Sequence, residues 1–584
     1  MEHHIVVATT CSSHPLHQTM QSSRVDTTDE EEGPQPQLKV KGGRGGQRNT
    51  KLKTQAATAH SSKRTPGEGV AAASAKRARR GSHSKPTLAR VDTTSEEGCS
   101  DPGTVPDTEA PAKTRTSAGT PGTPASSSIS NYARWVMDCK LTDGERNRVF
   151  QLSDAEVLRV GSMCSGMGTE GIVLQALADA FSLHHHQLRW LSVFKAEKDK
   201  KKMAFLMRHY ESSDILFVYD NADLQIAHVK DAKGQQRDGQ PQVDILTCGI
   251  VCKDISGLNN KGKTERNAAG KSGSSLHGLL GYIRCCTFDK RPRVLILECV
   301  ARLGHHRQVD PDARAGTSFI HDELAKLGYV GKWANVDAKQ FYLPQSRPRV
   351  YGLFLLMQST NMSEECRAAR QRSVTEAMQL IRRMQPRGPP ESLCAVLSRT
   401  PRVLDAGVKS TDSTAGPSWE TSPADWPKDG PKWPKDHAAY VKDKGLAQMA
   451  SKSYAKFFAA ARGVLQPRAI EATWLKILTV QQATGIDVNK DLIVATAGAS
   501  IEHIQVKKDT FPCVTPHMTM VISEKGQLRL ASGFDALAVQ GVQSEEVAKF
   551  KLGSESQPLL QDLAGNAFTA SILAAYLVAA MVVT

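Results

Sequence analysis

The stretch VDILTCGIVCKDISGLNN, residues 243–260, determines the fold that we predict for this chain. Its apolar first half predicts a buried strand, and the glycine, serine and asparagine residues of its second half predict a loop. The loop carries Cys252, and a reactive group at the carboxyl end of a strand is typical of open α/β sheets. Cys252 is therefore a candidate nucleophile, with Lys253 as a neighbouring cation that favours the reactive thiolate. The alternative is a buried cysteine that packs as a small apolar residue.

Strand-like and helix-like segments alternate on both sides of this stretch. Apolar runs predict further strands at residues 157–164, 190–197, 215–219, 293–298 and 349–356. Apolar residues at helical spacing predict helices at residues 171–181, 199–210, 275–288 and 317–328. The first strand runs through a glycine-rich loop into its helix. This alternation predicts the α/β fold class, with a Rossmann-like, mostly parallel sheet that has helices on both faces.

The charge of the chain is concentrated near its beginning. Residues 34–90 contain fourteen Lys and Arg and one acidic residue, Glu68, so they carry +13 of the formal net charge of +15. Residues 1–130 are rich in Ser, Thr, Gly, Pro and Lys and poor in aromatic residues, which predicts a disordered basic tail. This composition suits contact with a phosphate backbone or a nuclear import receptor, and a solubilising tail explains it equally well.

Three ordered parts are predicted after the tail. Residues 131–357 hold the alternating strands and helices of the main domain. Residues 358–511 contain proline-rich breaks, including two copies of WPKD that begin at Trp426 and Trp433, and they predict a smaller irregular domain. Residues 512–584 become regular again and are predicted to return to the main domain.

The beginning, the end and the cysteines of the sequence favour an intracellular protein without a metal site. The first residues lack the basic start and apolar core of a secretory signal. The uncharged run 567–583 is shorter than the ~20 residues that span a membrane, so we expect a buried helix and no membrane contact. The twelve cysteines include no C-x-x-C pair, which argues against a zinc module or a disulfide framework. We therefore expect a reducing compartment.

Five short motifs in the sequence together resemble those of one enzyme family. They are CSGMGT at 164–169, GIVC at 249–252, RPRVLILECV at 291–300, FYLPQSRPRVYGL at 341–353, and Gly565-Asn566. Their order and approximate spacing resemble the cytosine carbon-5 DNA methyltransferase family, over about residues 157–356 and 512–583. The Gln-x-Arg-x-Arg pattern in the fourth motif is the most specific match. The resemblance implies a divergent methyltransferase that uses S-adenosyl-L-methionine.

The resemblance also implies where this cofactor binds. In the family the glycine loop wraps S-adenosylmethionine, an acidic residue at the end of the second strand accepts hydrogen bonds from the ribose, and a second acidic residue contacts adenine. Glu197 and Asp223 stand at these two positions. The expected cofactor-binding residues are Cys164, Ser165, Gly166, Gly168, Thr169, Glu197, Asp223 and Asn566.

The chemistry of the family explains why its residue types are needed together. Carbon 5 of cytosine is a poor nucleophile until Cys252 adds covalently to carbon 6. Glu298 is the expected acid at the exocyclic amine and at ring nitrogen 3, while Arg349, helped by Arg347, is expected to hold the carbonyl oxygen. The expected substrate-binding residues are Gln345 and Lys253.

The expected substrate is DNA, and a base inside a duplex must be flipped out to reach these groups. Residues 358–511 are therefore expected to act as the target recognition domain. Four residues depart from the family pattern. Val251 replaces a proline, and Cys299 replaces the asparagine that braces the active-site loop. Ser162 and Cys164 stand where the family often has an aspartate and an aromatic residue. We predict a nuclear DNA cytosine carbon-5 methyltransferase. RNA such as tRNA is the alternative substrate, and a retired methyltransferase that binds DNA or chromatin is the alternative function.

Overall fold

Several parts of the chain can be described in structural terms. The structure, a computed structural model, describes residues 122–210, 212–251, 271–304, 316–357, 363–401, 432–447, 465–498, 500–517 and 519–584. Most of the predicted basic tail, together with Cys252, Lys253 and Trp426, lies outside the described residues. The predictions for those residues stay predictions.

The main domain begins with two helices and continues as alternating strands and helices. Thr142 begins the second helix with a capping box, in which its side chain accepts from Glu145 N and the Glu145 side chain accepts from Thr142 N. The elements are α1 (Ile129–Cys139), α2 (Asp143–Ala155), β1 (Leu158–Met163), α3 (Thr169–Ser182), β2 (Trp190–Ala196), α4 (Lys200–His209), β3 (Leu216–Val218), β4 (His228–Lys230), β5 (Gln236–Asp238), β6 (Ile245–Gly249), α5 (Lys271–Cys285), β7 (Val294–Val300), α6 (Gly316–Lys326), β8 (Tyr329–Asp337), β9 (Pro348–Leu356), α7 (Glu364–Arg383) and α8 (Leu393–Ser398).

Seven strands form one sheet in the order β3-β2-β1-β6-β7-β9-β8. Strand β9 is antiparallel to both of its neighbours, and the other neighbouring pairs are parallel, so the predicted mostly parallel sheet is confirmed. The order of the strands reverses between β1 and β6, which opens a crevice at the carboxyl ends of these strands. Open α/β sheets bind their ligands at such a switch point.

The prediction from sequence omitted strand β8. This strand lies at the edge of the sheet and pairs only with β9. Its middle residues, Lys332 to Asn335, are exposed or half-buried, so the segment lacks a continuous apolar run. An edge strand of this kind is difficult to recognise from hydrophobic patterning.

The sheet separates two hydrophobic cores. Successive side chains of a strand point to opposite faces, and in β7 Val294 and Ile296 join one core while Leu295 and Leu297 join the other. Residues of α5 and α6 cover one face, and residues of α1, α3 and α7 cover the other. The helices predicted on both faces are therefore confirmed.

A second, antiparallel sheet lies in the later part of the chain. Its elements are α9 (Trp433–Asp443), α10 (Pro467–Thr484), β10 (Ile493–Ala497), β11 (Val506–Lys508), β12 (Thr519–Glu524) and β13 (Gln527–Leu530). The strand order is β11-β10-β12-β13, and α10 packs against β10 around Trp474, Leu475 and Leu478. This part is more regular than the sequence suggested, and its sheet continues across residue 511 because β12 pairs with β10. Trp433 begins α9, with Pro434 in its first turn.

Two hydrogen bonds tie the chain before and after α9, α10, β10 and β11 to neighbouring carbonyl groups of the main domain. Before these elements, Glu391 N donates a hydrogen bond to Tyr342 O over 3.0 Å. After them, Phe511 N donates to Pro344 O over 2.7 Å. The chain then returns to the second sheet as β12 and β13. Both contacts lie on the segment that precedes β9.

The end of the chain packs into the main domain through four helices. They are α11 (Gly533–Ala538), α12 (Ser544–Lys549), α13 (Gln557–Asn566) and α14 (Ala570–Val583). Every residue from Ala570 to Val582 is buried, and α14 contacts α1, α2, α3 and α7, which confirms the predicted buried helix. Within the described residues, no helix alone has the length and apolar character of a membrane span, although α13 and α14, bent by 43°, reach that composition as a pair.

We predict that Gly565→Ala destabilises the fold. A Cβ atom at Gly565 would lie 2.3 Å from Pro516 N and 2.5 Å from Thr515 C, and backbone atoms cannot move aside as the end of a flexible side chain can. Overpacking of this kind costs about 1–3 kcal/mol of unfolding free energy. Gly553→Ala is the matched control, because nothing lies within 4 Å of a Cβ there. Chemical denaturation should show the loss for Gly565→Ala alone, and equal stability of the two variants would contradict the packing described.

Candidate active site

A glycine-rich loop follows β1 at the crevice between β1 and β6. Gly166 and Gly168 have φ values of +55° and +70°, which side chains with a Cβ rarely adopt, and Cys164 has a φ of +53°. The hydroxyl of Ser165 is buried and donates to Ser162 O over 3.0 Å, which ties the loop to the end of β1. The loop therefore presents its backbone to the crevice in a fixed conformation.

Glu197, directly after β2, holds this loop through its carboxylate. One oxygen accepts a hydrogen bond from Gly166 N over 2.9 Å, and the other accepts from Asp199 N over the same distance. Since a carboxylate has about four acceptor positions, both oxygens retain capacity for the hydroxyls of a ligand. The structure thus places Glu197 beside the glycine loop, and its contact with a ribose stays a prediction.

The short turn after β3 forms the next wall of the crevice. The carboxylate of Asp223 is half-buried and accepts from Asp220 N over 3.2 Å. Between this turn and the glycine loop lies Asn221, whose Nδ2 donates to Ser275 O over 3.3 Å and to Cys164 Sγ over 3.7 Å. Asn221 was not predicted, although it belongs to the same NADL segment as Asp223.

The chain near its end closes the crevice from the other side. A Cβ atom at Gly166 would lie 3.1 Å from Asn566 O, so the glycine loop and Asn566 approach closely. The exposed amide of Asn566 donates to Asp562 O over 2.8 Å, and Asp562 forms an ion pair with Lys202 Nζ at 3.1 Å. Thr169 begins α3 and is buried, and its hydroxyl has no hydrogen-bond partner among the described residues.

A buried ion pair lies behind the glycine loop and was not predicted from the sequence. Lys195 Nζ lies 2.5 Å from Glu170 Oε1, and the two side chains are 0% and 2% exposed. The same ammonium lies 3.8 Å from the centre of the Tyr210 ring, and Tyr210 Oη donates to Gly168 O over 2.5 Å. Burial and the nearby Glu170 raise the pKa of Tyr210, which therefore stays a donor. A lysine within the otherwise apolar strand WLSVFKA was the available signal.

Across the crevice, Glu298 and Arg349 form an ion pair. Because β9 runs antiparallel to β7, the beginning of β9 lies beside the end of β7, and Arg349 is paired in register with Val300. Arg349 Nε lies 2.9 Å from Glu298 Oε1, with the side chains 11% and 14% exposed. Arg349 Nη2 also contacts Cys513 Sγ at 3.4 Å. The structure thus brings two predicted catalytic residues together and adds Cys513, which nothing in the sequence indicated.

Arg347 and Gln345 lie deeper than these two residues. Arg347 is 2% exposed and donates to Val514 O (2.6 Å), Ala567 O (2.9 Å) and Gly565 O (3.3 Å). Burial and the charge of Arg349 lower the pKa of Arg347. Gln345 is fully buried, and neither polar atom of its side chain has a partner within the described part of the chain. The contacts of Arg347 hold the returning chain, whereas the predicted substrate contacts of both residues stay predictions.

The start of the loop that carries Cys252 is held by three hydrogen bonds. Ile250 N donates to Glu298 O over 2.9 Å, and Val251 N donates to Ser275 Oγ over 3.2 Å. Cys299 Sγ donates to Ile250 O over 3.6 Å, so the thiol occupies the bracing position expected for asparagine. Although a thiol is a weak donor, the loop has a defined starting point beside Glu298. Cys252 and Lys253 themselves lie outside the described residues.

A second cysteine of this region is unsuited to act as a nucleophile. Cys248 on β6 is fully buried, and a hydrogen bond with Cys164 together with burial raises the pKa of the Cys248 thiol well above its ordinary value. It therefore stays a neutral thiol, which is the unreactive form. Within the described ranges, no group of three or more His, Cys, Asp or Glu side chains is placed to hold a metal ion.

Comparison with known proteins agrees with the resemblance in the sequence. Residues 162–392 match the family model described as C-5 cytosine-specific DNA methylase. The chain is 26% identical over 445 residues to the DNA (cytosine-5-)-methyltransferase DMT5 of Cryptococcus neoformans var. grubii, which covers 73% of this chain and 17% of that protein. It is 22% identical over 472 residues to the protein of the same name from Verticillium dahliae, covering 71% and 19%. The chain thus spans under one fifth of the length of these two relatives.

The chain is also similar to a solved methyltransferase structure. The Dnmt2 methyltransferase of S. pombe covers 73% of this chain and 98% of its own, with a TM-score of 0.35 and 12% identity.

We predict that Lys195→Met strongly destabilises the main domain. The substitution leaves Glu170 buried without its partner, and removal of one member of a buried ion pair costs about 3–5 kcal/mol. The double variant Lys195→Met/Glu170→Leu should lose less stability than Lys195→Met alone, because no uncompensated charge remains. Chemical denaturation of the three proteins measures the difference.

The control for this prediction is an exposed ion pair. Lys490 Nζ lies 3.4 Å from Asp487 Oδ2, with the lysine side chain 82% exposed. Lys490→Met should therefore cost no more than about 1 kcal/mol. A loss for Lys195→Met no larger than this value would show that the buried pair does not stabilise the glycine loop region.

Proposed function

Residues 162–392 of this chain belong to the C-5 cytosine-specific DNA methylase family, and on that premise we propose that the chain methylates carbon 5 of cytosine in DNA. The methyl donor is S-adenosyl-L-methionine. The observation that carries the proposal is the Glu298–Arg349 ion pair, which lies beside the anchored start of the Cys252 loop. This pair faces the glycine loop across the crevice at which the strand order reverses.

The residues at the crevice suit the proposed cofactor. Gly166 and Gly168 give the loop the positive φ values and the close approach to Asn566 and Tyr210 that fix its shape. At the end of β6, the described neighbours of a Cβ at Gly249 are Cys164 O (3.6 Å) and Phe568 (3.8 Å), so backbone and ligand can approach there. Glu197 retains acceptor capacity for ribose hydroxyls, as described above. When bound, S-adenosylmethionine supplies an electrophilic methyl group. The protein supplies the cradle that orients it towards the substrate-binding side of the crevice.

The proposed reaction begins at Cys252. Its thiolate forms a bond to carbon 6 of a flipped-out cytosine, and the electron pair of the carbon 5–carbon 6 double bond moves into the ring. Glu298, hydrogen-bonded to the exocyclic amine, relays a proton from solvent to ring nitrogen 3, which offsets the developing charge. Arg349 donates to the carbonyl oxygen of the base. Carbon 5 thereby becomes nucleophilic and takes the methyl group.

The reaction ends by reversing the addition. Nitrogen 3 returns its proton to Glu298, a base removes the proton from carbon 5, and the bond between sulfur and carbon 6 breaks as the ring double bond re-forms. The methylated cytosine and the free Cys252 thiolate are released. The ion pair with Arg349 holds the carboxyl group of Glu298 at one position, which supports its repeated use as a proton donor and acceptor.

Two features favour catalysis over a retired protein that only binds DNA. Glu298 and Arg349 are both retained and in contact, and Cys299 braces the loop at the point where the asparagine is missing. The target recognition domain proposed for residues 358–511 would grip the surrounding DNA. The basic segment 34–90 supports a further proposal that the protein is carried to the nucleus by an import receptor.

We predict that Cys252 forms a covalent adduct with DNA that contains 5-fluorocytosine. The fluorine atom at carbon 5 cannot leave as a proton does, so the bond between sulfur and carbon 6 persists after methyl transfer. A shifted band on a denaturing gel should appear with wild type and disappear with Cys252→Ser. An adduct that survives Cys252→Ser would exclude this nucleophile, and a wild type that binds DNA without forming an adduct would support the retired protein.

A second experiment distinguishes the two candidate substrates. Transfer of the labelled methyl group is measured in parallel on duplex DNA and on tRNA.

We predict that Glu298→Gln slows methyl transfer by roughly 10²- to 10⁴-fold, because the amide cannot donate and recover the proton at nitrogen 3. Single-turnover methylation with labelled S-adenosylmethionine measures the rate. Glu323→Gln is the matched control, since Glu323 of α6 pairs with Arg284 of α5 at 2.7 Å and has no proposed role in the reaction. Equal rates for Glu298→Gln and Glu323→Gln would remove Glu298 from the mechanism.

A further inference from the structure

A basic cleft lies on the helical face of the main domain, between the end of α1 and the end of α7. Its volume is about 530 Å³, and Lys140, Arg382, Arg383 and Arg387 line it. The other lining residues are uncharged. None of these four cations belongs to the crevice or to the residues around Glu298. We refer to the space lined by these four residues as the flank cleft.

The positive charge of the flank cleft is mostly unbalanced. Arg383 forms an ion pair with Glu145, and the ammonium of Lys140 lies 4.5 Å from the centre of the Trp135 ring. Arg382 and Arg387 have no acidic partner among the residues that the structure describes. Burial and the neighbouring charge of Arg387 lower the pKa of Lys140. Four cations and one paired carboxylate therefore leave a surplus of positive charge.

The two helix ends account for only part of the positive charge in the flank cleft. Lys140 caps the end of α1, and Arg382 and Arg383 lie in the last turn of α7, where cations complement the partial negative charge of a helix C-terminus. Arg387 lies beyond α7 and faces the cleft without such a partner. The flank cleft therefore holds more positive charge than the two helix ends require.

The backbone around the flank cleft is fixed. Tyr132 Oη donates to Met384 O over 2.8 Å, which joins α1 to the end of α7. Arg387 N donates to Gly122 O over 3.1 Å, and Gln385 N donates to Arg382 O over 3.2 Å. The spacing of the cations is thus set by the fold.

The flank cleft lies close to the loop that leads into the active site. Glu391 follows Arg387 by four positions, a span of at most about 14 Å. Glu391 N donates to Tyr342 O, and Tyr342 precedes the Gln345–Arg349 segment. A DNA duplex carries about one negative charge per 1.7 Å of its axis, so a duplex that covers the flank cleft presents several phosphates to it.

We propose that the flank cleft binds phosphodiester groups of the DNA backbone outside the target base pair. The proposal rests on the function proposed above. Phosphate contacts fix the position of a protein on DNA without reading its sequence, and arginine donates to phosphate through two parallel N–H groups. Arg382 and Arg387, which lack acidic partners in the described part of the chain, are the principal donors.

The test compares the full-length wild type with Arg382→Ala/Arg387→Ala. Fluorescence anisotropy with a labelled duplex measures the dissociation constant at several salt concentrations. Since each phosphate contact contributes about 0.9 to the slope of log K against log salt, loss of two contacts should reduce the slope by about 2. At about 0.1 M salt, affinity should fall roughly ten- to hundredfold. Arg382→Lys/Arg387→Lys should recover most of it.

The matched control removes the same amount of charge from the first half of α7. Arg367 and Arg372 lie in the first half of α7, away from the flank cleft, so Arg367→Ala/Arg372→Ala should bind DNA nearly as wild type does. Thermal unfolding and S-adenosylmethionine binding of each variant establish that the fold is kept. Equal losses in the two double alanine variants would mean that net charge alone matters, and would overturn the proposal.

Further outcomes separate this inference from the proposed function. If Arg382→Ala/Arg387→Ala binds duplex DNA with the wild-type constant and slope, the flank cleft has no role and the methyltransferase proposal is untouched. If the variant loses tRNA binding but keeps duplex binding, the assignment to DNA is wrong. If wild type methylates no cytosine yet the variant still loses duplex affinity, the proposed function fails and the flank cleft stands.

Discussion

The buried guanidinium of Arg347 joins the two distant parts of the chain from which the active site is made. A buried cation is strongly disfavoured unless hydrogen bonds replace the water it loses, and here three carbonyl groups do so. They belong to Val514 and to Gly565 and Ala567, the two residues that flank Asn566. The position of Asn566 beside Gly166 therefore depends on the side chain of Arg347, which immediately precedes β9. Arg347 thus supports both the glycine-loop side of the crevice, through Asn566, and the segment that carries Arg349.

Much of the architecture could be predicted from the sequence, because the buried strands of a parallel sheet appear as continuous apolar runs. The glycine loop, Glu197 and Glu298 were found because they stand at the ends of such runs, and Arg349 because it stands at the beginning of one. What could not be predicted depends on contacts between distant residues. Nothing local in the sequence shows that Arg347 turns inward to the returning chain, or that Cys513 lies beside Arg349. The pairing of Lys195 with Glu170 likewise needs β2 to be placed against α3.

The departure at Cys299 shows how a family pattern can change while its geometry persists. The expected asparagine would brace the nucleophile loop through an amide, and the thiol of Cys299 instead donates to Ile250 O. The bond is weaker, but Ile250 N and Val251 N add two further anchors on β7 and α5. The bracing of the loop is thus shared among several bonds. A residue-by-residue comparison of the motif does not show that several hydrogen bonds brace the loop together.

The two hydrogen bonds at Tyr342 O and Pro344 O have an evolutionary consequence. They bring residues 391 and 511 almost to one point of the main domain, although β12 and β13 extend the second sheet after residue 511. A segment held between closely spaced points can grow, shrink or be exchanged with little effect on its host. The chain between these points can therefore vary in length while the edge that carries Glu298 and Arg349 remains constant. Insertion and exchange of segments are thus routes to variation here, in addition to point mutation.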